Sequence, residues 1–187
     1  MSSCPPDAQW PDGTIFTVGH STLPIEHFVA LLNAYGIERL GDVRTVPRSR
    51  HNPQYNEDVL AAELEPYQIS YRRIAPLGGL RGRSRNIPPE VNGFWENQSF
   101  HNYADYALSG EFAAALDELL ALGSERHCAI MCAEAVWWRC HRRIVADYLL
   151  ERGRPVIHLM GSDRLEPARL TSAALLDGER ITYPRAA

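Results

Sequence analysis

Within MCAEAVWWRCHRR, positions 131–143, the chain sets Cys132 and Cys140 among Glu134, His141, Arg139, Arg142 and Arg143, with Trp137 and Trp138 adjacent. Sulfur, imidazole and carboxylate side chains together serve metal binding, haem attachment or thiol chemistry, and spacing separates these. A structural zinc site takes four ligands, commonly as paired Cys-x-x-Cys or Cys/His clusters. Seven residues part these two cysteines and no second pair follows, so zinc would need His20 and His141 to complete the set in space. Covalent haem attachment needs C-x-x-C-H, whereas the chain reads WWRCH at 137–141, with tryptophan in the first cysteine's place. A tyrosine-phosphatase-like loop would put its arginine one residue nearer to Cys132 than Arg139 stands.

Electrostatic placement is the remaining reading. Cys132 ends an apolar run, and the pattern predicts a helix over about 138–152 with Cys140 and His141 in its first turn. A helix N-terminus and nearby arginines favour thiolate and attract anions, so either cysteine is a candidate nucleophile or redox group. His141 and Glu134 are the candidates for proton transfer, Glu134 if its apolar neighbours Ala135 to Trp138 shift its titration. Trp138 is a candidate for stacking a planar substrate, with core filling as the alternative. Helical spacing turns His141, Ile144, Val145 and Tyr148 inward, and Arg139, Arg143 and Asp147 outward as an i, i+4 series.

Further polar residues stand at two other predicted strand ends: His20 and Ser21, then Asp42 and Arg44 followed by Arg48 and Ser49. In open parallel sheets ligands bind outside the carboxyl ends of the strands, so three such ends carrying His, Asp, Arg, Cys and Glu point to one pocket. Each residue also has a plainer reading. Ser21 reads as a helix cap ahead of a nucleophile, because G-x-S-x-G is missing from the sequence. Asp42 can pair with Arg44 or cap a turn, and His20 can be satisfied by backbone. Arg48, Ser49 and Arg142 are candidates for gripping phosphate or carboxylate. His101, His127 and His158 are expected to serve structure.

The elements that must carry these groups alternate. Strands are predicted at 14–19, 38–44, 69–74, 127–132 and 155–160. Between them helices are expected from Pro24 to Gly36, from Asn56 to Pro66, and as two in series around Phe100 to Leu120. Residues 76–97, rich in Gly and Pro and carrying RGRSR at 81–85, read as an exposed loop. The alternation defines an α/β fold: a single Rossmann-like three-layer domain with a mainly parallel sheet over 14–187, after a flexible N-terminal tail at 1–13. Cys4, in that tail, reads as incidental. With 45% hydrophobic and 22% charged residues the composition is that of a globular protein. A net charge of −4 argues against coating nucleic acid by bulk electrostatics while leaving room for a local basic groove. The lack of a long apolar run or a signal-peptide plan predicts a cytoplasmic protein with no membrane partner.

GHS at 19–21, DVR at 42–44 with PRS at 47–49, LGG at 77–79, and CAE at 132–134 with CHR at 140–142 together resemble the domain-of-unknown-function family 488 (DUF488). Glu166 with Pro167 and ITYP at 181–184 extend the resemblance over nearly the whole chain. It implies a compact Rossmann-like domain and a link to nucleic-acid metabolism or repair. It also carries over His20, Ser21, Asp42, Arg44, Pro47, Ser49, Gly78, Gly79, Cys132, Glu134, Cys140, His141 and Arg142 as family-pattern residues. Members often follow the late Glu-Pro with histidine, where this chain has Ala168.

The resulting expectation is an enzyme acting on an anionic substrate, such as a nucleotide or nucleic acid, through a Cys/Glu/His/Arg pocket. One alternative is a non-catalytic nucleotide or nucleic-acid binding module, using arginines for phosphate and tryptophan for stacking. Another is a metal-dependent enzyme with Cys132, Cys140 and His141 as ligands. The motifs define neither a cofactor nor an oligomeric state.

Overall fold

The computed structural model describes residues 10–161 and 163–185, so Cys4 and most of the predicted tail lie outside the described residues. Five parallel strands, β1 (Ile15–Gly19), β2 (Arg39–Asp42), β3 (Ser70–Arg73), β4 (Cys128–Cys132) and β5 (Val156–Leu159), stand where the apolar runs predict them. A short antiparallel strand β6 (Leu165–Pro167) completes a sheet of order β3-β2-β4-β1-β5-β6. A separate hairpin pairs β7 (Leu175–Asp177) with β8 (Arg180–Thr182). These last three strands have three residues each, too few for alternation to mark them in sequence.

Helices α1 (Ile25–Ala34) and α2 (Glu57–Leu64) cover one face, where Phe28, Leu32, Leu60 and Leu64 pack on Phe16, Val18, Ala129 and Met131. On the other face α3 (Gln98–Tyr106), α4 (Gly110–Glu125) and α5 (Arg142–Glu151) bring Tyr103, Phe112, Leu116 and Ile144 against Ile15, Cys128 and Ile130. Alternation in β1, β4 and β5 therefore aims Thr17, Cys132 and His158 at the α5 face. The connections leaving the adjacent strands β1 and β4 depart to opposite faces, which opens a crevice at their carboxyl ends.

Three local expectations change. The helix predicted from 138 starts at Arg142: Trp137–Arg139 form one 3-10 turn, Cys140 is extended (φ −125°, ψ 146°), and His141 is the N-cap. Cys140 thus precedes the helix. Ser21 does not cap α1, whose N-cap is Pro24; it occupies a left-handed turn position at φ 45°. Asp147 does not face outward, because α5 buries seven of its ten residues and Asp147 is among them. Its carboxylate accepts from the Thr171 backbone N–H and the Tyr183 hydroxyl, both 2.9 Å away. An i, i+4 spacing says which residues share a helix face but not which face meets the core.

Residues 76–97 are also more firmly held than their glycines and prolines suggest. Leu77, Asn92 and Trp95 are buried. Tyr103 and Tyr106 donate to the Leu77 and Pro76 carbonyls, each at 2.7 Å, and the Arg81 guanidinium lies 3.6 Å above the Tyr106 ring. Two buried bonds from the Asn92 side chain, to Asp105 and to the Tyr183 N–H, tie the stretch to α3 and the C-terminal segment.

Candidate functional site

Because β2, β4 and β1 are neighbours, their carboxyl ends deliver residues 42–44, 132–134 and 19–21 to one edge. Pairing continues past the strands, with His20 N–H donating to the Cys132 carbonyl and Ser21 N–H to that of Ala133. Gly19 permits this approach: a Cβ there would collide with the Glu134 carbonyl oxygen. Above this edge lies a cavity of about 400 Å³. Arg44, Cys132, Glu134, Cys140, His141 and Arg139 supply its chemical groups, and Val46, Leu80 and Phe100 its apolar wall. Asn97, whose side chain caps α3 by accepting from Ser99 N–H at 2.9 Å, holds the Ser99–Phe100 corner in place.

The two cysteines meet. Their sulfurs are 2.7 Å apart, both side chains are buried, and both border the cavity. Arg142 lies behind them at 1% exposure, in no part of the cavity wall. Its Nε donates to Cys132 Sγ at 3.1 Å and Cys140 Sγ at 3.3 Å, one terminal nitrogen donates to Thr17 Oγ1 at 3.3 Å, and the other to the Glu134 carbonyl at 2.6 Å. Among the described residues no carboxylate lies within ion-pair distance of this guanidinium. Among the described residues the two sulfurs are its candidate counter-anions.

His141 completes the arrangement. Its Nε2 donates to the Val43 carbonyl at 2.9 Å, which leaves Nδ1 facing Cys140 Sγ at 3.5 Å, within reach of the thiol's proton. Gly79 packs against that ring, and a Cβ there would collide with Nδ1. Burial alone would raise the Cys140 thiol. The hydrogen bond from Cys132, the neighbouring His141 and the Arg142 charge outweigh it and hold Cys140 well below the ordinary thiol range. Cys132 moves oppositely, raised by burial and then by its bond to Cys140 and that group's charge. The pair is thus shifted in opposite directions, Cys140 toward the thiolate and Cys132 toward the thiol.

A second buried cluster flanks the cavity. Asp42 and Arg44 form a bidentate ion pair, Nε to Oδ1 at 2.9 Å, and Tyr71 donates its hydroxyl to the same carboxylate. His20 stacks on Tyr55 with ring centroids 3.9 Å apart, donates from Nδ1 to the Ser21 carbonyl at 2.8 Å, and accepts from Arg44 at its Nε2. Burial and the Arg44 and Arg142 charges bring its pKa down to about 4. His20 and Asp42 are thus packed beneath the cavity, where they orient Arg44.

The other sequence candidates are placed apart. Ser49 accepts from Asn52 N–H and gives its own N–H to Asn56, a local loop brace, and neither it nor Arg48 lines the cavity. Trp138 is exposed at 40% and outside the lining, and Trp137 stacks on His158 at 4.5 Å. Glu134 is exposed, borders the cavity, and contributes its carbonyl to Arg142. No group of three or more His, Cys, Asp or Glu side chains among the described residues is arranged to hold a metal ion, which corrects the Cys132/Cys140/His141 ligand reading. His141 directs its Nε2 at a carbonyl instead. Sequence reasoning missed Thr17 and His158 behind the thiols, linked at 2.8 Å; the alternation of β1 and β5 was the available signal.

The fold and this edge define a Rossmann-like α/β domain with a paired-thiol crevice at the strand carboxyl ends. The chain matches the model for "Domain of unknown function DUF488" over residues 24–149 and belongs to that family. The matched span holds both cysteines and Arg142 but ends short of the 166–167 and 181–184 segments and begins after His20. A search of curated proteins and a search of solved structures each returned no significant match. No helix among the described residues is long and apolar enough to cross a membrane.

Proposed function

We propose that this protein is a thiol-dependent enzyme in which the Cys140 thiolate attacks a small anionic substrate held in the crevice. The observation that carries this reading is Arg142: a fully buried guanidinium facing two sulfurs and, among the described residues, no carboxylate. Arginine cannot discharge itself by losing a proton, so the balancing anion is a thiolate. His141 Nδ1 takes the Cys140 proton and returns it to the leaving group. Arg139, exposed on the cavity wall, and the edge of Arg44 attract the anion, while Phe100 and Leu80 supply an apolar surface for a ring. Nucleotide-like molecules combine these two features. Glu134 stays at the mouth, and its carbonyl orients Arg142.

Iodoacetamide labelling with peptide mapping tests this. An ordinary thiol loses labelling rate about tenfold per pH unit below its pKa. Cys140 is expected to keep a nearly constant rate from neutral pH down to about 6, and adenosine monophosphate is expected to slow it by occupying the crevice. A Cys140 rate that falls like that of a free thiol overturns the thiolate assignment.

A further inference from the structure

We propose that Cys132 is the second catalytic thiol and that the pair reduces a hydroperoxide, forming a Cys132–Cys140 disulfide at each turnover. The inference rests on the Cys140 reading above and deepens it by naming the electrophile. Two observations carry it. The sulfurs are already 2.7 Å apart, so a bond of about 2.05 Å needs only a sub-ångström approach of the two atoms. Arg142 also spans both sulfurs, so whichever carries the charge is held in the same place.

The same guanidinium selects the oxidant. Disulfide formation removes the anionic sulfur that faces a buried cation, which disfavours the oxidised form relative to the dithiol. A pair whose reduced form is stabilised in this way is a strong oxidant, so an ordinary disulfide is a poor acceptor for its electrons. A peroxide O–O bond is a far stronger acceptor, and the cavity admits one beside Cys140.

The steps balance. The Cys140 thiolate attacks the outer oxygen of R–O–O–H, forming S–O as O–O breaks. The alkoxide leaves with the proton held on His141 Nδ1, giving R–OH and Cys140 sulfenic acid. The Cys132 sulfur then attacks Cys140 sulfur, S–S forms, S–O breaks, and hydroxide leaves with the Cys132 proton as water. Two molecules of a small thiol reduce the disulfide and leave as their own disulfide, a favourable exchange because the protein disulfide is the stronger oxidant.

Hydrogen peroxide and linoleic acid hydroperoxide, applied to the reduced full chain, distinguish a small peroxide from one carried by an apolar carboxylic acid. Thiolate fraction alone gives about a thirtyfold advantage over free cysteine at neutral pH. The expected result is oxidation at least that much faster with one of the two, loss of two thiols, and a Cys132–Cys140 crosslink by peptide mass. Cys132→Ser, or Cys132→Ala if serine perturbs folding, is expected to halt at a sulfenic acid on Cys140 that dimedone traps. Fast alkylation of Cys140 combined with peroxide oxidation no faster than free cysteine overturns this inference and leaves the proposed function standing. Slow alkylation as well overturns both.

Discussion

A guanidinium keeps its proton at any pH the fold survives, so a buried one must be answered by an anion or bear a penalty of several kcal/mol. At Arg142 the groups within reach are the sulfurs of Cys132 and Cys140, and this separates them from Cys128. Cys128, two strand positions before Ile130 and equally buried, receives no guanidinium hydrogen bond among the described residues, and burial, outweighing the Arg39 charge, pushes its thiol up to about 12. It is expected to stay unlabelled in the folded protein under conditions where Cys140 is alkylated within minutes, an internal control in the same peptide map. Arg142→Met removes the cation but leaves Cys140 free to take up a proton, so the buried charge is not stranded. Its stability cost, read by urea unfolding, is therefore expected at about 1–3 kcal/mol, the range of ordinary core substitutions. The larger effect falls on chemistry: labelling of Cys140 at about pH 6 slows roughly tenfold for each unit its pKa rises.

At the scale of elements, the crevice depends on two close approaches rather than on long helices. Gly19 lets the β1 end meet the loop after β4, and Gly79 lets the 77–80 segment press on His141. Neither has a positive φ, so space and not backbone conformation demands glycine there. Gly79→Ala must move His141 away from Cys140, and the expected outcome is slower Cys140 labelling near pH 6 with nearly native unfolding, since a side-chain ring can yield. Gly19→Ala meets backbone, which cannot, and is expected to destabilise by about 2–4 kcal/mol in urea unfolding. Helix α5 contributes differently. Ten residues make a marginal helix in isolation, and burial of Ile144, Val145, Tyr148 and Leu149 is what holds Arg142 at its N-terminus against the thiols.

The whole molecule also carries a pH signature. His20 and His158 are both buried, and burial, with Arg142 adding to it, brings each down to about 4 from an ordinary 6.5. Their folded pKa values lie below the unfolded ones, so the unfolded chain binds protons that the native state refuses. Stability is then complete above about pH 6.5 and is lost as pH falls toward 4, by roughly 2 kcal/mol per histidine near pH 5. Asp147 runs the other way: burial raises it, and its contribution is present at low pH and lost as pH rises through its folded value. Two histidines outweigh one carboxyl between pH 6.5 and 5. Urea midpoints at pH 7.5 and pH 5 should show the loss, and His158→Gln should lose less over the same interval; an unchanged midpoint in the native sequence would contradict the assignment.

Sequence alone determined the five parallel strands, their order of appearance, and the edge where His20, Asp42, Arg44, Cys132 and Glu134 arrive. Those features follow from periodicity and from strand ends, which are properties of neighbouring residues. Asp147 was misread, since helical spacing groups residues by face without naming the buried one. Ser21 was misread because its left-handed turn is imposed by the pairing of residues 20 and 21 with the loop after β4. The tertiary structure decided that eight residues of separation close to 2.7 Å between sulfurs, and that one buried guanidinium touches both. A pKa depends on desolvation and on charges brought from distant segments, so the opposite shifts of Cys132 and Cys140 could be read only once Arg142 and His141 stood around them.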